Sequence, residues 1–198
     1  MLSSTEIRDL ITGGMVEQED PPFQSMNPKL RACLDSEWDK QLDCEGGAFD
    51  LTIDQLFDLT QETMPIIGPD QRVEPRIRPI PWDCTEEIPL VRLMPGDYVL
   101  FRTREIFNIP DNVGVTLHHK STTHRDGLNV IFAVMHPGYC GSLTLGLHVV
   151  GPLPVAIKYG ARMLTSRYEW IDAAGTKQYD GPHQGGVVTT SGQAIGPC

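Results

Sequence analysis

Residues 136–150, HPGYCGSLTLGLHVV, decide the fold. After a PGY turn, apolar and polar side chains alternate with period two from Gly141 to Val149, the pattern of a strand with one buried face. A glycine, Gly146, stands at its centre. Glycine inside a strand gives up packing and backbone order, so it marks a bulge, a close approach of another segment, or space left for something else.

The same rhythm extends outward. From Pro89 to Tyr168, short apolar runs are broken by MPGD, IPDN, RDG, HPGYCG, GPLP and KYGAR, with hardly any helical periodicity between them. Turn signals at that spacing predict a mainly β protein, a barrel or jelly roll. Upstream, GAFDLTIDQLFDL (47–59) alternates Leu51 and Ile53 with Thr52 and Asp54 and reads as a further strand. Between Thr60 and Pro89, the prolines at 65, 69, 75, 79, 81 and 89 exclude a helix and predict an extended loop with edge strands. At the N-terminus, Ser3 and Glu6 form a capping-box pattern, and Ile7, Leu10 and Ile11 follow at helical spacing until Gly13 and Gly14, predicting a short first helix. The tail after Trp170 is Gly-rich and polar with no core pattern, so it is expected to be disordered or ordered only by packing onto a neighbour or a ligand.

The 198 residues fit one domain, divided into an N-terminal helix and mixed, charge-rich extension (1–46), a barrel (47–170) and a tail (171–198). No apolar run approaches the roughly 20 residues that cross a bilayer. The opening MLSSTEIRDLITGG lacks a basic then apolar leader, so no membrane partner and a cytoplasmic location are expected. A net charge of -10 argues against sequence-independent nucleic-acid binding, which needs a field of Lys and Arg. The five cysteines (33, 44, 84, 140 and 198) show no zinc spacing and read as reduced, structural thiols.

The run LMPGDYVLFRTREIFNIPDNV, HKSTTHRDGLNV, HPGYCGSLTLGLHV and PLPVAIKYGARM resembles, in order, the dCTP deaminase and trimeric dUTPase superfamily over about residues 47–170. The N-terminal LSSTEIRDLI is similar to the opening helix of the deaminase branch. The resemblance implies a distorted jelly-roll β-barrel of the dUTPase-like type, assembly as a homotrimer, nucleotide sites between subunits, and a C-terminal tail that closes over a site. In the tail, Tyr179, Gly181 and Gln184 match the closing motif of the deaminases, whereas Pro182, His183 and Gly186 do not.

The chemistry lies in two motifs. In KSTTHRDGL, Lys120 offers a point charge, Ser121 and Thr122 hydroxyls and backbone N–H groups, and Arg125 a planar fork, a set suited to phosphate oxygens on an otherwise acidic chain. The resemblance implies that Ser121 and Arg125 line the active site and that Lys120 and its neighbours grip phosphates. In HPGYCGSLTLGLHVV, His136 stands where dUTPases carry the aspartate that activates water, and Gly146 where deaminases carry a proton-shuttling glutamate. On the resemblance, Val149 replaces an asparagine common shortly after that glutamate, and Thr165 a glutamine frequent in dUTPases. The frame of the site is kept while both catalytic acids are gone. His148, two residues along the same strand face, is expected to project beside Gly146 and, with His136, is a candidate acid-base group.

Two functions follow. The first is a dCTP deaminase-like enzyme, deaminating dCTP or hydrolysing the nucleotide. Its catalytic candidates are Ser121, Arg125, His148 and His136, and its substrate-binding candidates Lys120, Ser121, Thr122, Arg125, Tyr179 and Gln184. Its partner is a pyrimidine deoxynucleoside triphosphate, dCTP or dUTP, with Mg2+ accompanying the triphosphate and no metal held by the protein. The alternative is a catalytically inactive member that serves as a nucleotide-binding or protein-interaction module.

Overall fold

The computed structural model describes residues 1–18, 28–60, 64–69, 72–172 and 177–188. Strand β7 (Tyr98–Asn108) organises it, lying between β2 (Phe49–Leu59) and β10 (Cys140–Val149) and pairing antiparallel with both. Beyond β2 come β12 (Arg162–Trp170) and β8 (Val113–His119); beyond β10 comes β9 (Leu128–Ile131). The sheet order is β8-β12-β2-β7-β10-β9, and a bridge from Val115 of β8 to Met135, just past β9, brings the two edges together. The result is a nearly closed, distorted jelly-roll barrel. β1 (Val16–Gln18) adds to β7, and β5 (Ile77–Pro79) adds to β2. Two small two-stranded sheets, β6 (Leu90–Leu93) with β11 (Val155–Lys158) and β3 (Ile66–Ile67) with β4 (Arg72–Val73), stand outside this sheet.

The alternating side chains dictate the core. Phe49, Leu51, Ile53 and Leu56 of β2, Phe101 and Phe107 of β7, and Leu147 and Val149 of β10 are all buried in one apolar cluster. Helix α1 (Ser4–Leu10) closes one end of it with Ile7, its first turn fixed by the reciprocal bonds of a capping box. Ser3 N donates to Glu6 Oε2 at 2.9 Å, and Glu6 N donates to Ser3 Oγ at 3.3 Å. The chain then turns through a π-helical Ile11–Met15 into β1, so the helix end expected at Gly13 and Gly14 becomes a wider turn.

The charge-rich 15–46 segment contains an element that its pattern does not announce, helix α2 (Pro28–Leu42). Leu30 and Leu34, one turn apart, pack on Tyr159, and Trp38 meets Phe49 edge-on at 5.7 Å. The next inward position is Gln41, which is polar and breaks the apolar stripe. Gln41 faces Glu105 of β7, a carboxyl with no exposed surface. Glu105 accepts from Thr52 N at 2.9 Å and Thr52 Oγ1 at 2.6 Å, from Gln41 Nε2 at 3.1 Å and from Gln18 Nε2 at 3.2 Å. A second buried acid, Asp54, is gripped by both Arg102 Nε, at 2.9 Å, and Arg102 Nη2, and accepts from the Tyr159 hydroxyl at 3.1 Å.

The loop between β2 and β6 carries the edge strands β3, β4 and β5 and no helix among its described residues, as its prolines require. Cys33, Cys44 and Cys84 are free thiols, whereas Cys140 is disulfide-bonded and departs from the expectation of reduced thiols. Cys198 lies outside the described residues. No helix among the described residues is long and apolar enough to cross a membrane.

Burial pushes the Glu105 carboxyl above its ordinary value of 4.5, against the pull of its bonds from Thr52 and Gln41. The native state therefore keeps a proton that the unfolded chain has lost. This group's contribution to stability is full below the unfolded value and declines as pH rises through the folded one. In urea unfolding from about pH 4 to about pH 8, wild type is expected to lose stability relative to Glu105→Gln, which cannot ionise. Parallel curves for the two proteins would show that folding leaves the carboxyl's affinity for its proton unchanged.

Candidate functional site

The KSTTHRDGL motif folds as the end of β8, the short helix α3 (Ser121–Arg125) and the turn into β9. Thr123 anchors it by donating from Oγ1 to Met163 O of β12 at 3.0 Å, and Gly127 O accepts from Val150 N and Gly151 N, each at 2.9 Å. Fixed in this way, Lys120, Ser121 and Thr122 border a cavity of about 540 Å3, with Lys40 of α2 and Arg162 and Arg167 of β12 on its other walls. Lys120 is already partnered: its ammonium lies 2.5 Å from Asp50 Oδ2, which Arg162 Nη1 also approaches at 3.2 Å, while Thr165 donates to Asp50 Oδ1 at 2.7 Å. Thr165 thus helps hold the acid that holds Lys120. Arg125, at the end of α3, is exposed, pairs with no described residue and lies outside this cavity.

Gly146 borders a second cavity, of about 430 Å3, walled by apolar side chains including Leu100, Ile131, Phe132 and Leu145 and by His136, Tyr139, Thr144, Tyr179, His183 and Glu74. No described residue lines both cavities. Between them runs a ring stack in which His119 lies 4.6 Å from His124 on one side and 4.6 Å from Phe132 on the other. Burial and the neighbouring His124 lower the pKa of His119, which keeps it neutral at neutral pH.

The Tyr98 hydroxyl reaches over Gly146. A Cβ there would lie 2.8 Å from the Tyr98 hydroxyl oxygen and 3.1 Å from Ile131 Cβ. Any side chain at this position, a strand glutamate included, needs the Tyr98 hydroxyl to shift, and Tyr98 is 43% exposed. His148 does share the expected face, but its ring packs edge-on against Tyr98 at 6.4 Å and does not border the Gly146 cavity. His136 does border it, stacked on Tyr179 with ring centroids 6.0 Å apart and planes 8° from parallel.

Residues 177–188 of the tail pack on their own barrel. Tyr179 N donates to Pro137 O at 2.8 Å and Gly185 N to Cys140 O at 2.8 Å. Gln184 bonds in both directions, accepting from Cys140 N at 3.2 Å and donating to Gly138 O at 2.9 Å. Tyr179 and Gln184 thus seat the tail on the PGY turn. His183, a departure from the family motif, donates its backbone N–H to the Tyr179 hydroxyl at 3.3 Å and places Nε2 3.2 Å from Glu74 Oε1. Glu74 was not legible as a site residue, because it lies in a proline-rich loop with no periodicity to orient it.

The chain belongs to the dCTP deaminase-like family, whose family model matches residues 1–169. It is 32% identical over 95 residues to the dCTP deaminase of Pyrococcus furiosus, covering 48% of this chain and 61% of that protein. It is 37% identical over 73 residues to the dUMP-forming dCTP deaminase of Mycobacterium tuberculosis, covering 36% of this chain and 38% of that protein. The fold is also that of the 2'-deoxycytidine 5'-triphosphate deaminase from Agrobacterium tumefaciens, with a TM-score of 0.57 at 17% identity over 86% of this chain and 47% of that one. The matches thus span at most about three-fifths of the length of these relatives.

Seating of the tail depends on Gly141. Its φ is +118°, and a Cβ there would lie 2.2 Å from Gly186 N. Gly141→Ala is expected to unseat residues 179–188, since the backbone alone costs any other residue roughly 1–3 kcal/mol and the tail cannot yield to a clash with its own main chain. Amide exchange at Gly185, protected in wild type by its bond to Cys140 O, is expected to become fast in the variant, and unchanged protection would refute this account.

Proposed function

We propose that this protein binds a pyrimidine deoxynucleoside triphosphate, dCTP or dUTP, in sites shared between subunits of a homotrimer, and deaminates dCTP with an acid-base group other than a strand glutamate. The observation that carries this reading is the cavity of about 540 Å3 where Lys120, Ser121 and Thr122 meet Lys40, Arg162 and Arg167 in a chain of net charge -10. Cationic and hydroxyl groups of this kind suit phosphate oxygens. Of the two carboxylates that also line the cavity, Asp50 and Glu45, Asp50 is held by Lys120 and Arg162, and Mg2+ arrives on the triphosphate, as it does where phosphates supply most of its oxygens. On this reading Arg125, exposed and unpaired with described residues, contacts a nucleotide held against a second copy. The separation of the phosphate cavity from the Gly146 cavity within one chain supports a site assembled from two copies.

A second reading, nucleotide binding without turnover, is favoured by the Tyr98 hydroxyl that reaches over Gly146. Titration calorimetry with dCTP and dUTP in the presence of Mg2+ tests the shared premise. Saturable binding is expected, weakened roughly tenfold or more by Arg125→Ala, because a hydrogen bond to a charged group contributes about 1.5–3 kcal/mol. Absence of binding to either nucleotide would sink both readings. Ammonia release separates them, and the double change Gly146→Glu with Tyr98→Ala is expected to raise it above either single change.

A further inference from the structure

We propose that Glu74, positioned by His183, is the general base that replaces the missing strand carboxylate in the Gly146 cavity. The inference rests on the reading of that cavity as part of a pyrimidine nucleotide site. Glu74 is the one carboxylate among the described residues that line it, and its side chain is only 13% exposed. The loop between β4 and β5 brings it there, and the tail supplies its partner. His183 is fixed at three points: backbone N–H to the Tyr179 hydroxyl, Nδ1 3.0 Å from Val187 O, and Nε2 3.2 Å from Glu74 Oε1. Both ring nitrogens face acceptors, so the ring donates to both when it carries two protons. An imidazole locked in this way orients the carboxylate toward the cavity, as a general base requires.

The other titratable groups of the cavity serve this role less well. His136 is stacked face to face on Tyr179, and burial raises the Tyr139 phenol well above its ordinary value while its hydroxyl donates to Ser142 O at 2.6 Å. Tyr179 is held between these rings and the tail turn.

The step balances without a redox partner. Glu74 takes one proton from water as the water oxygen bonds to C4 of cytosine, and the C4–N3 electron pair moves to N3, which then receives that proton from Glu74. The remaining proton of the new C4 hydroxyl passes through Glu74 to N4, the C4–N4 bond breaks, and ammonia leaves as the C4 carbonyl forms. Water and dCTP become dUTP and ammonia, and Glu74 returns to its starting state.

The test uses the full chain with dCTP and Mg2+, measuring ammonia release and, separately, dCTP binding by calorimetry. Wild type is expected to turn over, Glu74→Gln to lose about 100-fold or more in kcat with dCTP affinity unchanged, and Glu74→Asp to retain part of the rate. His183→Gln is expected to lower kcat more than it changes KM, which a merely structural contact would not do. Wild type that binds dCTP but releases no ammonia overturns the inference and leaves the nucleotide site intact, as does Glu74→Gln with wild-type kcat. Failure to bind dCTP at all overturns the reading on which it rests.

Discussion

The buried carboxyl of Glu105 constrains the rest of the molecule. A group of this kind is costly inside a protein unless donors surround it, and the donors come from three other elements: Thr52 on β2, Gln41 on α2 and Gln18 on β1. Satisfying one side chain therefore fixes the N-terminal segment against the barrel. The consequence reaches the surface, because the turn of α2 that carries Gln41 also carries Lys40, and both border the cationic cavity. Glu37, one turn earlier, lies 3.2 Å from Arg162 on the same wall. A polar contact in the core thus sets the position of charges at the candidate phosphate site.

The second constraint is spatial. On β10, Gly146 is opposite Leu100 of β7 and Ile131 of β9, so its surroundings are fixed by two ladders at once. The Tyr98 hydroxyl reaches over the glycine, and His148, paired with Tyr98 across the ladder, packs edge-on against it. One aromatic side chain, cross-strand partner of His148, thus contacts that histidine and reaches over Gly146.

What could be read from the sequence was what local physics determines. The capping box of Ser3 and Glu6, the alternation through β2 and β10, and the turns at Pro95 to Asp97 and Pro110 to Asn112 each depend on residues a few positions apart. Asp97 Oδ2 accepts from Met94 N at 2.7 Å, and Val113 N donates to Pro110 O at 3.2 Å, as such turns require. Helix α2 escaped because its inward stripe ends in Gln41, whose reason for being buried lies on another strand. His148 was placed on the correct face, but period two gives a face and not a neighbour, and Tyr98 could not be foreseen from it. The tail carried no core pattern because its order comes from hydrogen bonds to the backbone of the PGY turn, which leave no trace in hydropathy.

Glu74 and His183 illustrate the same limit with a functional consequence. A carboxylate on β10 would be held by ladders on both sides and would be in place whether or not the tail was docked. Glu74 sits on a loop, and its partner sits on a tail seated by Gln184 and Tyr179. Sites built on loops owe their precision to the contacts that hold the loops, so an acid-base group assembled here exists only while the tail is seated. On the reading we propose, moving the carboxylate from strand to loop does more than relocate a proton acceptor. It makes tail docking a condition for catalysis, since the same segment that covers the cavity completes its chemistry.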